Sequence, residues 1–180
     1  MNDLSIWDDF VEKGKLKEVL FAQTLKKYGD LTPATDEQDK FEHWDIKLEP
    51  KDPNCPLIKW DAEDKDLRFD VKSLKHITRQ DEELNEDFHF LEIKNINGYP
   101  GSIYGKADYM VFEKFKTWVV VDRIKLVEFV EEFLVNPVYC FKKPLPYAIY
   151  TRQNKQDEIM LVETNKLEEI STLIIDKKIE

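Results

Sequence analysis

A chain of 180 residues, 42% hydrophobic and 12% aromatic, can bury a sizeable core as a single domain, which excludes a disordered body. The formal charge is −10 and no basic stripe runs along the chain, which does not suggest a general polyanion binder, although acidity does not exclude nucleic acid. Cys55 and Cys140 lack metal-ligand spacing and are too few for a disulfide framework. No apolar run approaches the ~18–20 residues that span a bilayer, and no signal-peptide core stands at the N-terminus. A soluble protein in a reduced, cytoplasmic setting is therefore expected.

In chain order, Ile6, Trp7, Phe10 and Val11 have helical spacing, and a clearer helix is expected from Lys15 to Tyr28, with Gly29 as its terminating residue. Glu18 lies on that helix with Phe21, Ala22 and Leu25 on its own face. Residues 30–42 are polar, contain Pro33 and read as a loop. A first strand is expected at 41–49, and Pro56 to Trp60 reads as a short extra strand. Asp61, Glu63, Asp64 and Asp66 read as a solvated turn. The stretch Arg68 to Lys75 alternates charged and apolar residues as a half-buried strand does, with Asp70 and Lys72 on one face and Phe69 and Val71 on the other. A polar segment leads to another strand, Phe88 to Asn95.

Asn97 to Gly101 carries turn residues, and strands are expected at 108–112 and 117–121. Trp118 to Val121 is continuously apolar, as a strand buried on both faces would be. Asp122 is placed to cap a helix closed by Asn136 and Pro137. A hairpin joining 147–151 to 159–162 and a short helix capped by Thr164 complete the chain. The element order predicts an α/β fold with a mixed central β-sheet flanked by helices.

One tripeptide recurs in kind. Asp45-Ile46-Lys47, Asp70-Val71-Lys72 and Glu92-Ile93-Lys94 each place a lysine two residues after an acid on an expected strand. Three such strands could gather carboxylates and a lysine on one sheet face. Phosphodiester hydrolysis calls for that combination: carboxylates holding a hard cation, and a point charge near the water or the phosphate.

These tripeptides, the helix Gly14-Lys15-Leu16-Lys17-Glu18 before them and the block Gly98 to Glu113 resemble small phage-type PD-(D/E)XK nucleases over roughly residues 14–130. The resemblance implies a restriction-endonuclease-like core, dependence on Mg²⁺ (or Mn²⁺), and cleavage of DNA, as an endonuclease more readily than an exonuclease. It also implies an order of helix glutamate, strand, aspartate strand and acid-x-Lys strand. Two registers fit. In one, Asp45 is the lone aspartate and Asp70-Val71-Lys72 the element; in the other, Asp70 is the lone aspartate and Glu92-Ile93-Lys94 the element. The resemblance assigns Asp45, Asp70 and Glu92 as metal ligands, Glu18 as a further carboxylate, and Lys72 or Lys94 as the catalytic cation. Lys72 is the narrow choice, because Lys75 and Arg79 follow it along a phosphate path, with Lys106 a further phosphate contact. His43 beside Trp44 and Asp108 read as structural. A homodimer is compatible with this scheme. The competing class is a non-catalytic acidic binder, a DNA mimic or inactive nuclease-fold inhibitor of a host protein, which the net charge would suit.

Overall fold

A computed structural model describes residues 15–58, 66–78 and 80–177. The expected helix around residues 6–11, Lys59, Trp60, most of the acidic turn and Arg79 lie outside the described residues. The chain is a mixed α/β fold. A six-stranded central sheet and a second, four-stranded sheet are accompanied by four helices among the described residues.

The first helix, α1 (Leu16–Leu25), ends earlier than its sequence pattern suggests. Gly29 does not terminate it but opens β1 (Gly29–Pro33), a strand in what reads as loop sequence. β1 runs antiparallel to β2 (Ile46–Pro50), pairing Gly29 with Pro50. A Cβ on Gly29 would sit 2.1 Å from the Glu49 carbonyl oxygen, so the close strand approach requires glycine. Between them lies α2 (Asp36–Glu42), also in the expected loop. Its start is a capping box in which Thr35 accepts from the Gln38 amide and Gln38 accepts in return. The first expected strand is correspondingly shorter, because Phe41 and Glu42 belong to this helix. The extra strand expected from Pro56 is absent through Ile58. That segment makes turns and drops Leu57 into the core.

β3 (Leu67–Lys72) pairs antiparallel with β2 and parallel with β5 (Tyr109–Glu113), which pairs antiparallel with β6 (Thr117–Asp122). β10 (Leu173–Asp176) closes the other edge, giving the order β1-β2-β3-β5-β6-β10. The strand β4 (Phe88–Lys94) does not join this sheet. It pairs with β9 (Glu158–Glu163), which continues to β8 (Ile149–Tyr150) and β7 (Tyr139–Cys140). Helices α3 (Arg123–Leu134) and α4 (Thr164–Glu169) follow β6 and β9. Asp122 caps α3, its carboxylate accepting from the Ile124 and Lys125 amides, whereas Thr164 is the first helical residue of α4 rather than its cap.

Both faces of the central sheet are covered, which explains why β5 is buried along its whole length. On one face Phe21, Ala22 and Leu25 of α1 pack on Ile46, Leu48, Phe69, Val71, Val111 and Trp118. Phe21 meets both Phe69 and Trp118 edge-on, with ring centroids 5.5 and 5.4 Å away. On the other face Met110, Phe112, Val119 and Val121 pack with Leu126 and Val130 of α3 and with Leu91, Ile93, Met160 and Val162 of the second sheet. Phe21 is the side chain that fastens α1 to the sheet. Phe21→Ala should therefore destabilise the fold by about 3–5 kcal/mol, read from urea unfolding; a loss below about 1 kcal/mol would mean that α1 is not anchored by it.

Candidate functional site

The alternation of β3 places Phe69 and Val71 in the α1-facing core and leaves Asp70 and Lys72 on the opposite face. The pairing of Ile46 with Phe69 carries on one step to set Asp45, just before β2, opposite Asp70. The Asp45 backbone is fixed on both sides, its amide donating to the Phe69 carbonyl and its carbonyl accepting from Ala34. Its carboxylate accepts the Val71 amide at 2.6 Å. Asp45 and Asp70 are only 7% and 5% exposed.

Lys72 Nζ lies 2.7 Å from Asp70 Oδ2 as an ion pair. No donor meets that buried oxygen with hydrogen-bond geometry. Asp70 Oδ2 is thus a buried carboxylate oxygen with the Lys72 ammonium beside it, the kind of group that a neighbouring positive charge compensates. Burial pushes the Asp45 carboxyl well above the ordinary aspartate range, and the Asp70 charge pushes it further. The Val71 amide and Lys72 oppose this only in part. Burial disfavours the Lys72 ammonium, but Asp70, Asp45 and Glu92 outweigh it and raise Lys72 above the usual lysine value.

Glu18 comes from α1, which Lys15 ties to Asp39 of α2. Burial raises the Glu18 carboxyl; its own amide and Lys15 pull it back, and Asp39 and Asp70 push it upward. Glu92 approaches from the second sheet. Its carboxylate accepts the Ser102 amide at 3.3 Å, next to Gly101, where a Cβ would fall 2.2 Å from the Glu92 carbonyl oxygen. Four acids and a lysine thus share one electrostatic neighbourhood. They do not form a cage: among the described residues no three His, Cys, Asp or Glu side chains are grouped to hold a metal ion. Asp45, Asp70 and Glu92 are therefore not a preformed three-ligand set. Paired carboxylates still suit Mg²⁺, which is commonly held by one or two carboxylates and completed by water and substrate phosphate.

The remaining candidates lie elsewhere. Lys94 is 46% exposed at the side chain and pairs with Glu158 at 2.8 Å, beside a register shift between Glu92 and Lys94. Lys47 is drawn to Glu49 and Asp66. Lys106 pairs with Glu42 at 2.9 Å. His43 takes a left-handed conformation (φ 55°) at the end of α2. Asp108 accepts the Arg68 amide and pins the start of the parallel β3–β5 pair. Lys75 is exposed just beyond β3.

Sequence reasoning missed Glu113 at the end of β5. It is wholly buried, accepting from Lys17 at 2.7 Å, Lys177 at 2.6 Å and the Leu74 amide at 3.0 Å. Only an acid ending an otherwise apolar strand hinted at it.

Because Asp45 binds its proton more tightly folded than unfolded, its contribution favours the fold at low pH and fades as pH climbs from the ordinary aspartate range through its raised value. Asp45→Asn should remove that slope. Urea midpoints from about pH 4 to about pH 8 should show the variant gaining on the wild type as pH rises. Parallel curves would contradict the burial argument. Comparisons with known proteins find no matching family model, no matching curated protein and no matching solved structure.

Proposed function

We propose that this chain is a metal-dependent nuclease that hydrolyses phosphodiester bonds in DNA. The observation that carries this reading is the buried Asp45–Asp70 pair on neighbouring strands, with the Lys72 ammonium 2.7 Å from Asp70. The element order supports it. A helix bearing Glu18, then β1, then the strand of Asp45 and then Asp70-Val71-Lys72 follow in the sequence that the PD-(D/E)XK resemblance implies. In that alignment Asp45 is the lone aspartate and Lys72 the lysine of the acid-x-Lys element. The exposed Lys94, engaged with Glu158, suits a peripheral position.

Asp45 and Asp70 would hold Mg²⁺ or Mn²⁺, with Glu92 and Glu18 adding negative charge to the same electrostatic neighbourhood. A bound divalent cation would supply Lewis-acid stabilisation of the phosphate and a more acidic water. Lys72, held by Asp70, presents a fixed positive charge where negative charge develops on the phosphate oxygens. Because a quarter of its side chain remains accessible, substrate can reach it without unfolding the strand. A charge mimic would display its carboxylates on the surface. Burial of Asp45 and Asp70 favours chemistry over mimicry.

Plasmid and linear DNA cleavage with and without Mg²⁺ tests the proposal. Asp70→Ala should abolish metal-dependent cleavage while keeping the circular dichroism spectrum; cleavage at the wild-type rate would sink the assignment. Lys72→Ala should lower kcat by about 10²–10⁴, the range for positioned proton-transfer and charge-stabilising groups, whereas Lys94→Ala should leave kcat within about twofold. A dead Lys94 variant beside an active Lys72 variant would reverse the register.

A further inference from the structure

Residues 133–156 contain no Asp or Glu, in a chain that has 37 of them, and carry Lys142, Lys143, Arg152 and Lys155. Within this stretch Val135, Val138, Tyr139, Phe141 and Leu145 all stand exposed around the short strand β7, Phe141 by 70%. So many large apolar side chains on one short segment mark a surface that meets another molecule. Four of them are symmetric about the buried Cys140. Tyr139 and Phe141 lie one residue away from it, and Val135 and Leu145 five residues away.

Among the described residues β7 is the last strand of the second sheet, so one side of its backbone has no partner strand. The Ile149 and Thr151 amides donate to the Val138 and Cys140 carbonyls, and strand alternation turns the Tyr139 amide and carbonyl to the open side. Pro137 and Pro144 bracket this edge. With the charged Lys142 and Lys143 they keep it too short to recruit strands indefinitely.

Helix α3, which ends just before this segment, lacks a cation of its own. Its last turn holds the exposed Glu131 and Glu132 and no basic residue, so like charge sits at the negative end of the helix dipole. Lys142 and Lys143 are exposed and enter no ion pair among the described residues.

We propose that two copies of this chain pair through β7, antiparallel about a two-fold axis at Cys140. In such a contact residue i meets j and j meets i, so a segment symmetric about its own midpoint is its own complement. Tyr139 comes opposite Phe141 of the second copy, exchanging backbone hydrogen bonds, and Val135 falls beside Leu145. Val138 meets the aliphatic stem of Lys142, whose ammonium, with that of Lys143, reaches the end of α3 in the second copy. There the two lysines supply the cations that the helix lacks. Contact through an acid-free segment also spares two chains of charge −10 the repulsion between their acidic surfaces. The inference stands apart from the nuclease reading, because this segment lies outside residues 14–130, over which the nuclease resemblance extends.

Sedimentation equilibrium of the full chain, from about 1 to about 100 µM, is the test. The wild type should reach twice the 21.5 kDa of one chain. Phe141→Asp should weaken association at least about tenfold with an unchanged circular dichroism spectrum. Phe115→Asp, at an exposed phenylalanine between β5 and β6, should leave association as it was. Diamide, which takes up two hydrogens as it oxidises two thiols to a disulfide, should link the dimer through Cys140. Directly opposed residues of a non-hydrogen-bonded pair sit about 4.5 Å apart at Cα, within disulfide reach, and mass spectrometry of the linked peptide identifies the bond. A monomer at every concentration, a dimer that survives Phe141→Asp, an equal loss from Phe115→Asp, or a dimer that diamide does not link at Cys140 overturns the proposal. Loss of DNA binding by Phe141→Asp in a chain that stays monomeric would give the patch to nucleic acid and overturn it as well.

Discussion

Two carboxylates facing each other across neighbouring strands, in a sheet covered on both sides, set the main constraint on this molecule. Taking a charged side chain out of water costs several kcal/mol unless neighbours answer it. The answers come from the fold itself. The Val71 amide turns toward Asp45, and Lys72, two residues after Asp70 on the same strand, swings back to it. The alternation that buries Phe69 and Val71 on one side therefore delivers the acid and the lysine to the other. Displacing the Asp45 carboxylate would release the Val71 amide that it holds beside the β2–β3 pairing.

The second sheet acts as a wall to this arrangement. It contributes Leu91 and Ile93 to the core and brings Glu92 and His89 toward the end of β3 without sharing its hydrogen-bond ladder. α1 closes the opposite side, and the link between Lys15 and Asp39 keeps Glu18 within electrostatic reach of Asp70. The site is thus assembled from a helix, two paired strands and one strand of another layer.

Much of the local structure was legible from residue patterns. The Asp70 strand, the doubly buried β6 and the Asp122 cap all follow from periodicity and capping chemistry, which act over a few residues. The missed elements lack such signals. Gly29-Asp30-Leu31-Thr32-Pro33 has turn composition, and its strand conformation comes from pairing with β2. Asp36–Glu42 buries no side chain, so only its capping box marks it. The tripeptide of Asp70 gave the faces of its strand, whereas in that of Glu92 a register shift before Lys94 breaks the alternation, and the partner strands were not legible. Alternation fixes which way a side chain points, whereas the choice of partner strand depends on distant residues. Glu92 consequently sits in another sheet, and Lys94 turns toward Glu158.

Glu113 joins parts of the chain that are remote in sequence. Its single carboxylate receives Lys17 from α1, Lys177 from beyond β10 and the Leu74 amide from the turn after β3. Lys177 also lies over the Trp118 ring, 4.4 Å from its centroid. Release of any one of these groups leaves a buried anion less well compensated, so the three segments are expected to open together in hydrogen exchange as a single unit. The turn carrying Lys75 belongs to that unit. Trimming the chain just after β10 would therefore remove Lys177 and loosen the turn after β3 from the far edge of the sheet, although Lys177 itself lies against Glu113 and Trp118.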